Sequence, residues 1–201
     1  MRRTILLVSA ITLVLTACSP SNNGTPNPTT GAANSSSANP ASDVPRVQNS
    51  IDLARFKQAP CNSLSDLQAE ELLGAPTDHK ARDGNAGPAC MWSIPSSSRP
   101  TVDVIFGRSP DGGTAKVYEA KGKAYELVEP IEPIDGYPLT IYDTKDERTS
   151  KGRCSVALGT SDTETVSISL EQSEANIGHK DPCDAARQAA VRVLATIRGG
   201  N

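Results

Sequence analysis

The residues with the clearest chemistry are Leu15, Thr16, Ala17 and Cys18, which end a short apolar segment near the start of the chain. An aliphatic residue, a small residue, Ala or Gly, and then Cys form the pattern of a bacterial lipobox. The thiol of such a cysteine is alkylated with diacylglycerol, and cleavage just before it frees its amine. Two acyl chains such as palmitate give stable anchoring, where one chain is marginal. The sequence therefore predicts lipidation of Cys18.

Residues 1–17 have the features of a signal peptide. Arg2 and Arg3 give it a positive start, and residues 5–15 form an apolar stretch of about eleven residues, within the roughly 7–15 that such signals use. A membrane-spanning helix needs about 20 apolar residues. We expect a lipid-anchored protein on the extracytoplasmic face of the cell membrane. The alternative is an ordinary secretory signal that is cleaved elsewhere, with Cys18 incidental.

Four cysteines follow Cys18, and an even number in an exported chain predicts disulfide bonds. They are Cys61, Cys90, Cys154 and Cys183. The chain has no Cys-x-x-Cys sequence, so neither a zinc knuckle nor a redox site is indicated. Equal sequence separations, and positions on the core faces of adjacent elements, favour Cys61–Cys90 and Cys154–Cys183. The crossed and nested pairings remain open.

Few other residues have the spacing that catalysis requires. His79 and His179 fall in predicted polar loops, with no cysteine or carboxylate at the spacing of metal ligands. We therefore expect no metal and no cofactor. The Gly-x-Ser-x-Gly turn of the α/β-hydrolases is missing. Residues 107–114 have the glycine spacing of a P-loop, but Gly113 stands where a phosphate-binding lysine is needed, so we predict a plain loop.

Carboxylates cluster among prolines in residues 126–138. The four acidic residues are Glu126, Glu129, Glu132 and Asp135. Such groups can act as acids and bases or bind calcium, although most charged stretches are simply solvated. The prolines predict an irregular, exposed segment, and we take Glu129, Glu132 and Tyr137 as the candidate contact with a partner. Tyr137 can equally pack beneath the loop.

The segment 19–42 contains only Ser, Pro, Asn, Gly, Thr and Ala. It cannot bury enough apolar surface to offset the entropy of ordering it. We therefore predict a signal peptide at 1–17, a lipidated Cys18 with a disordered tether at 18–43, and one globular disulfide-bonded domain at 44–201.

The net charge of the chain is −3, and removal of Arg2 and Arg3 with the signal makes it about −5. An acidic domain offers no basic surface for nucleic acid. It also has no polybasic segment that would attract anionic lipid. Membrane attachment should therefore depend on the lipid on Cys18.

Two helices are predicted on the domain. Ser65 and Gln68 form a capping box for a helix at 65–73, with Leu64, Leu67 and Leu72 as its apolar stripe. A second helix at 182–198 is capped by Asp181 and has a continuous stripe of alanine and aliphatic residues. Residues 114–121 are a weaker helix candidate.

Apolar residues alternate at 90–94, 102–106, 139–142, 154–158 and 166–170, which indicates strands. Residues 123–129 are a further strand candidate, whereas loops are predicted at 81–88 and 143–152. The fold class is therefore α+β, with a single antiparallel sheet of about five strands and the 65–73 and 182–198 helices packed on it. Serines alternate with apolar residues in the last two strands, so part of one sheet face should meet water.

Short segments in a fixed order give the chain a family resemblance. They are 44–47, 51–53, Pro60 with Cys61 and Leu64, 87–92, 136–138, Cys154, and 181–183 with Ala186. The chain resembles actinobacterial cell-envelope lipoproteins of the domain-of-unknown-function family numbered 3558, over about residues 44–199. Ser50, Ser65 and Met91 depart from the usual pattern. The resemblance implies export, lipidation and disulfides, but no established activity and no catalytic residues.

These features predict a binding domain rather than an enzyme. Its partner would be an envelope protein, a wall component or a small ligand, and not nucleic acid. The alternative is a hydrolase-like envelope enzyme whose site is not visible in the sequence. A deep cleft with converging carboxylates and a histidine would favour the enzyme, and a flat sheet face with an apolar patch would favour binding.

Overall fold

A computed structural model of the chain describes residues 44–108 and 112–199. Cys18, the predicted signal peptide and the predicted tether lie outside the described residues. The helices are α1 (Ala54–Gln58), α2 (Asp66–Leu73), α3 (Gly113–Glu119), α4 (Arg148–Lys151) and α5 (Pro182–Gly199), with 3-10 turns at Pro60–Ser63 and Glu174–Asn176. The strands are β1 (Asp78–Gly84), β2 (Gly87–Ser93), β3 (Thr101–Phe106), β4 (Leu127–Ile134), β5 (Tyr137–Asp143), β6 (Arg153–Ser161) and β7 (Glu164–Glu171).

The strands form one sheet in the order β1-β2-β3-β7-β6-β5-β4, and every neighbouring pair is antiparallel. The predicted α+β class is therefore confirmed, with seven strands rather than about five. In this part of the chain, no helix combines the length and the apolar character that crossing a membrane requires.

The prediction of a loop at 81–88 is wrong. Residues 78–84 form β1, an edge strand that pairs with β2 from Asp78 opposite Ser93 to Gly84 opposite Gly87. Every residue of β1 is exposed, so the apolar alternation that reveals a strand is missing. Charged residues on an edge strand discourage pairing with another chain.

The prediction of an irregular segment at 126–138 is also wrong. Most of it forms β4, the other edge strand, and β5 begins at Tyr137. Pro130 lies opposite Thr140 in this pair, and the register shifts between Ile131 and Ile134. Proline is tolerated on an edge because the outward side of the strand needs no N–H donor for a ladder.

The core lies between one face of the sheet and the helices α2 and α5. Fully buried strand residues on this face include Trp92, Val104, Phe106, Val156, Leu158 and Ile168. Ala186, Ala189 and Ala190 of α5 are completely buried, because their small side chains let the helix approach the sheet closely. Leu67 is 66% exposed, so its predicted place on the apolar stripe of α2 is wrong.

The predicted helix caps are confirmed. Ser65 Oγ accepts from the Gln68 amide at 3.2 Å, and Gln68 Oε1 accepts from the Ser65 amide at 2.9 Å. Asp181 Oδ1 accepts from the Cys183 amide at 2.8 Å. These contacts satisfy donors that have no partner inside the first turn of a helix.

Both predicted disulfides are confirmed. Cys61–Cys90 joins the turn before α2 to β2, and Cys154–Cys183 joins the start of β6 to the start of α5. Their Cα atoms are 5.0 and 5.1 Å apart, the ordinary separation for a disulfide. Each bond therefore fixes a helical segment against the sheet.

The segment that enters the domain is fastened to the β6–β7 turn. The Val47 amide donates to Asp162 Oδ1 at 3.1 Å, and the Ile51 amide donates to the Thr160 carbonyl at 2.9 Å. The β5–β6 connection lies at the opposite end of the antiparallel sheet. Residue 44 and the β5–β6 connection are thus separated by the length of β6, roughly 25 Å at about 3.3 Å per residue.

The β5–β6 connection is not the solvated loop predicted for 143–152. It contains α4, and Asp143 is only 9% exposed. The guanidinium of Arg153 lies 3.0 Å from an Asp143 oxygen and 2.8 Å from a Glu147 oxygen. These paired charges order a segment whose composition alone indicated a loop.

Candidate functional site: the uncovered face of the sheet

The second face of the sheet is only partly covered. Near the β6–β7 turn α3 lies against it, since a side chain added at Gly159 would come within 2.6 Å of Thr114 Oγ1. Beyond α3, the central strands present half-buried side chains, most of which are polar. The expectation that part of one sheet face meets water is therefore confirmed.

A set of hydroxyl groups and one carboxylate lies on this uncovered part. Its residues are Asp103, Tyr142, Ser155, Ser167 and Ser169, which we call the hydroxyl strip. Asp103, Ser169 and Ser155 are directly opposed on β3, β7 and β6. Their side chains therefore point to the same face, at the strand spacing of about 4.8 Å.

The hydroxyl groups of the strip bond to one another. Ser155 Oγ and Ser169 Oγ are 3.0 Å apart, and the Tyr142 hydroxyl donates to Ser167 Oγ at 2.7 Å. A hydroxyl group offers one proton and two lone pairs. The Ser155–Ser169 bond uses only one of the two protons, so capacity remains for a further hydrogen bond toward solvent.

Asp103 is the unusual group in the strip. Its side chain is 19% exposed, and one carboxylate oxygen pairs with Arg82 of β1. Burial raises the pKa of Asp103 above its usual value, the contacts with Arg82 oppose this rise, and the charge of Glu171 adds to it. The other oxygen, Oδ1, is buried without a hydrogen bond among the described residues. The fold therefore holds this charge at a net cost.

Asp103→Asn should therefore make the domain more stable at neutral pH. Since the pKa is raised by folding, the folded wild type holds its proton more tightly than the unfolded chain does. Its free energy of unfolding then falls as the pH rises from the usual pKa of an aspartate to the raised pKa of Asp103 in the folded domain. The asparagine variant avoids that loss. Urea unfolding at about pH 3 and about pH 7 measures the difference.

The gain should be larger at the higher pH and should shrink as the acid protonates. Asp83→Asn, an exposed change on β1, controls for a general effect of charge. A gain that is independent of pH would contradict the assigned cause.

Aromatic and charged groups border the strip. The Tyr125 and Tyr142 rings meet edge to face with centroids 4.9 Å apart. Arg99 lies 3.9 Å from Glu171, next to the Arg153 pairs with Asp143 and Glu147. The charged groups at this end of the face are thus paired with one another.

A surface depression of about 400 Å³ lies at the same end of the domain, where the β5–β6 connection meets the start of α5. It is lined by Asp146, Arg148, Thr149 and residues 178–182. The two oxygens of Asp146 bind Arg148 at 2.9 and 2.6 Å, and Glu129 lies 3.3 Å from the same guanidinium. Its one arginine is therefore already bound by two carboxylates.

The predicted contact residues differ in exposure. Glu129 and Glu132 are exposed on β4, so their contact with a partner stays a prediction. Tyr137 is only 7% exposed, and Arg198 lies 5.5 Å from its ring centroid. The ring belongs to the core, because β5 places it on the face that α5 covers. The alternative in which Tyr137 packs beneath the segment is the one the structure shows.

The histidines lie away from the strip. His79 Nδ1 is 2.8 Å from Asp66 Oδ1 on the core side of the edge strand, and His179 lines the depression. Across residues 44–108 and 112–199, no group of three or more His, Cys, Asp or Glu side chains has a metal-binding arrangement. Residues 109–111 of the P-loop-like segment lie outside the described part.

Sequence reasoning missed Asp103 and Arg82. The available signal was a charged residue between Val102 and Val104, on the side of β3 that faces away from the core. It was overlooked because an outward charge on a strand is normally solvated. Its burial depends on β1, the strand that the sequence did not reveal.

Comparison with known protein families gives a match over most of the chain. The model of a family described as protein of unknown function (DUF3558) matches residues 13–196. Neither the curated proteins nor the solved structures contain a match to the chain.

Proposed function

Since the chain belongs to the DUF3558 family of proteins of unknown function, we propose a function from its own residues. The protein is a lipid-anchored extracytoplasmic lipoprotein of the actinobacterial envelope type. Its domain binds an envelope partner on the hydroxyl strip and does not catalyse a reaction.

Two features support export and anchoring. The disulfides Cys61–Cys90 and Cys154–Cys183 suggest an oxidising, extracytoplasmic compartment. The lipobox that ends at Cys18 supplies the site for a lipid. A coil of residues 19–42 would extend roughly 25–30 Å, which allows a domain that starts near residue 44 to reach a partner above the membrane.

The observation that carries the binding proposal is the partly buried charge of Asp103 among hydroxyl groups on an uncovered sheet face. Groups whose pKa is shifted by burial and a specific charged partner cluster at functional sites. Ser155 and Ser169 extend the polar surface across two further strands. A shallow surface of this kind suits recognition by hydrogen bonds.

A hydrolase-like enzyme is the alternative. The raised pKa of Asp103 is the observation that favours it, because a general acid needs such a shift. The neighbouring serines have no histidine beside them in the described residues, as the positions of His79 and His179 show. Turnover of an envelope substrate by the purified domain would establish the enzyme and defeat the binding proposal.

Cys18→Ala should abolish membrane anchoring, because no other thiol lies at the predicted cleavage site. Detergent partitioning of cell fractions tests this, and we expect the variant to leave the detergent phase completely or to keep its signal peptide. Thr16→Ser keeps a small residue in the lipobox and should partition like the wild type. A Cys18→Ala protein that loses its signal and still enters the detergent phase would refute lipidation.

The binding surface can be tested in the intact envelope with a photo-crosslinking residue. At Ser169 it should capture a partner, and at Val191, which is 43% exposed on α5, it should not. Capture at Val191 alone would place the binding surface on the helical side. No capture at Ser169 of either protein or glycan would refute binding on the strip.

A further inference from the structure

We infer that the hydroxyl strip binds a neutral, polyhydroxylated ligand, that is, a glycan chain. This inference rests on the proposed binding function and adds the chemical class of the partner. It follows from three properties of the strip: the way its charges are paired, the spare hydrogen-bonding capacity of its hydroxyl groups, and its apolar and aromatic surroundings.

The pairing of charges argues against a charged ligand. Arg82 is bound to Asp103, Arg99 lies beside Glu171, and Arg153 lies between Asp143 and Glu147. A polyanion would have to separate these arginines from their carboxylates, and a polycation would have to do the reverse. A charged ligand would therefore disrupt these ion pairs to form its own, whereas a neutral ligand leaves them intact.

The hydroxyl groups supply the opposite kind of recognition. In the Ser155–Ser169 pair one proton is not used, and Ser167 accepts from Tyr142 with its own proton still available. Each group can thus give and receive hydrogen bonds, which matches a sugar hydroxyl. An extended peptide would gain less here, because it pairs with the backbone of a sheet edge and not with a face.

Apolar surface completes the match. Met91 lies opposite Asp103, Ile105 lies opposite Ser167, and both are half-buried on the same face. The Tyr125 ring packs against Tyr142 of the strip. Sugar rings carry C–H groups as well as hydroxyl groups, so alternating apolar and polar contacts fit them better than they fit a purely polar ion.

The test is an amide-shift NMR titration of residues 44–201 attached to their natural tether, with neutral oligosaccharides of glucose, mannose, galactose and N-acetylglucosamine. At least one should shift amides of β3, β6 and β7. Replacing Ser155 and Ser169 together by alanine removes two hydrogen bonds and should weaken that binding about tenfold or more. Ser150→Ala, an exposed serine on α4, is the matched control and should change nothing.

Four outcomes of these titrations would overturn the inference. They are no shifts with any of the sugars, shifts confined to the α2 and α5 side, equal affinity for the double-alanine variant, and binding of polyphosphate in preference to every sugar. A dimer of the domain closed through the strip, which sedimentation would detect, is a fifth outcome that would overturn it. If photo-crosslinking at Ser169 captures a protein while no sugar binds, the proposed binding function stands and the glycan inference fails.

Discussion

Gly87→Ala is expected to lower the free energy of unfolding by about 3–5 kcal/mol. Gly87 begins β2 with a φ of +129°, a conformation that side chains rarely adopt. An added Cβ would also overlap the carbonyl oxygen of Phe106, which is backbone and cannot rotate away. Strain and overlap therefore act together, and urea unfolding measures their sum.

Two other glycines separate the causes. Gly84 lies at the other end of the same turn, with no atom within 4 Å of an added Cβ and no positive φ, so alanine there should change stability by less than about 1 kcal/mol. Gly136 has a φ of +83° and equally open space, so its alanine variant should show the strain alone. An effect at Gly87 no larger than that at Gly136 would mean that the Phe106 contact relaxes without cost.

The central strands could be predicted because burial of one sheet face requires apolar residues at alternate positions. Val102, Val104 and Phe106 alternate with outward residues, and Val166, Ile168 and Leu170 do the same. Their register then brings the two apolar series together across the β3–β7 pair. Cys90 and Cys154 follow the same pattern on β2 and β6, and the favoured disulfide pairing is the one that forms.

The edge strands could not be predicted by the same argument. All seven residues of β1 are exposed, so no period-two apolar signal exists. In β4 the prolines indicated a break, although an edge strand tolerates them: Pro130 stays in register with Thr140, and the pairing shifts only between Ile131 and Ile134. An edge strand is specified by the strand it pairs with more than by its own sequence. Its position is therefore seen only in the assembled sheet.

The candidate site was predictable only in part. Alternating serines showed that one side of β6 and β7 meets water, and this placed Ser155, Ser167 and Ser169 on a common face. The raised pKa of Asp103 comes from burial and from the charge of Glu171 on β7, against the opposing contacts with Arg82 on β1. This property exists only in the assembled sheet. The sequence pattern therefore indicated the acidic stretch around Glu129 as the candidate contact, and not Asp103.

Replacing Cys154 and Cys183 together by alanine should lower the free energy of unfolding by about 3–4 kcal/mol from lost chain constraint alone. Removal of Cys61 and Cys90 should cost a similar amount from this source, because both disulfides span the same sequence separation of 29. The two pairs therefore form a matched comparison in which loop length is constant.

Packing should make the Cys154–Cys183 loss the larger of the two. Cys154 and Cys183 are both buried, at 1% and 5% exposed, between β6 and the first turn of α5. In the other pair Cys90 is fully buried, but Cys61 is only half-buried. Removal of Cys154 and Cys183 leaves unfilled space in the core in addition to the lost chain constraint.

Loss of the Cys154–Cys183 bond also frees the start of β6, the strand that carries Ser155, so the strip should lose order before the domain unfolds. Hydrogen exchange should then be faster at the start of β6 than at β2 in this variant, and equal protection at both would show that packing alone holds the strip in place.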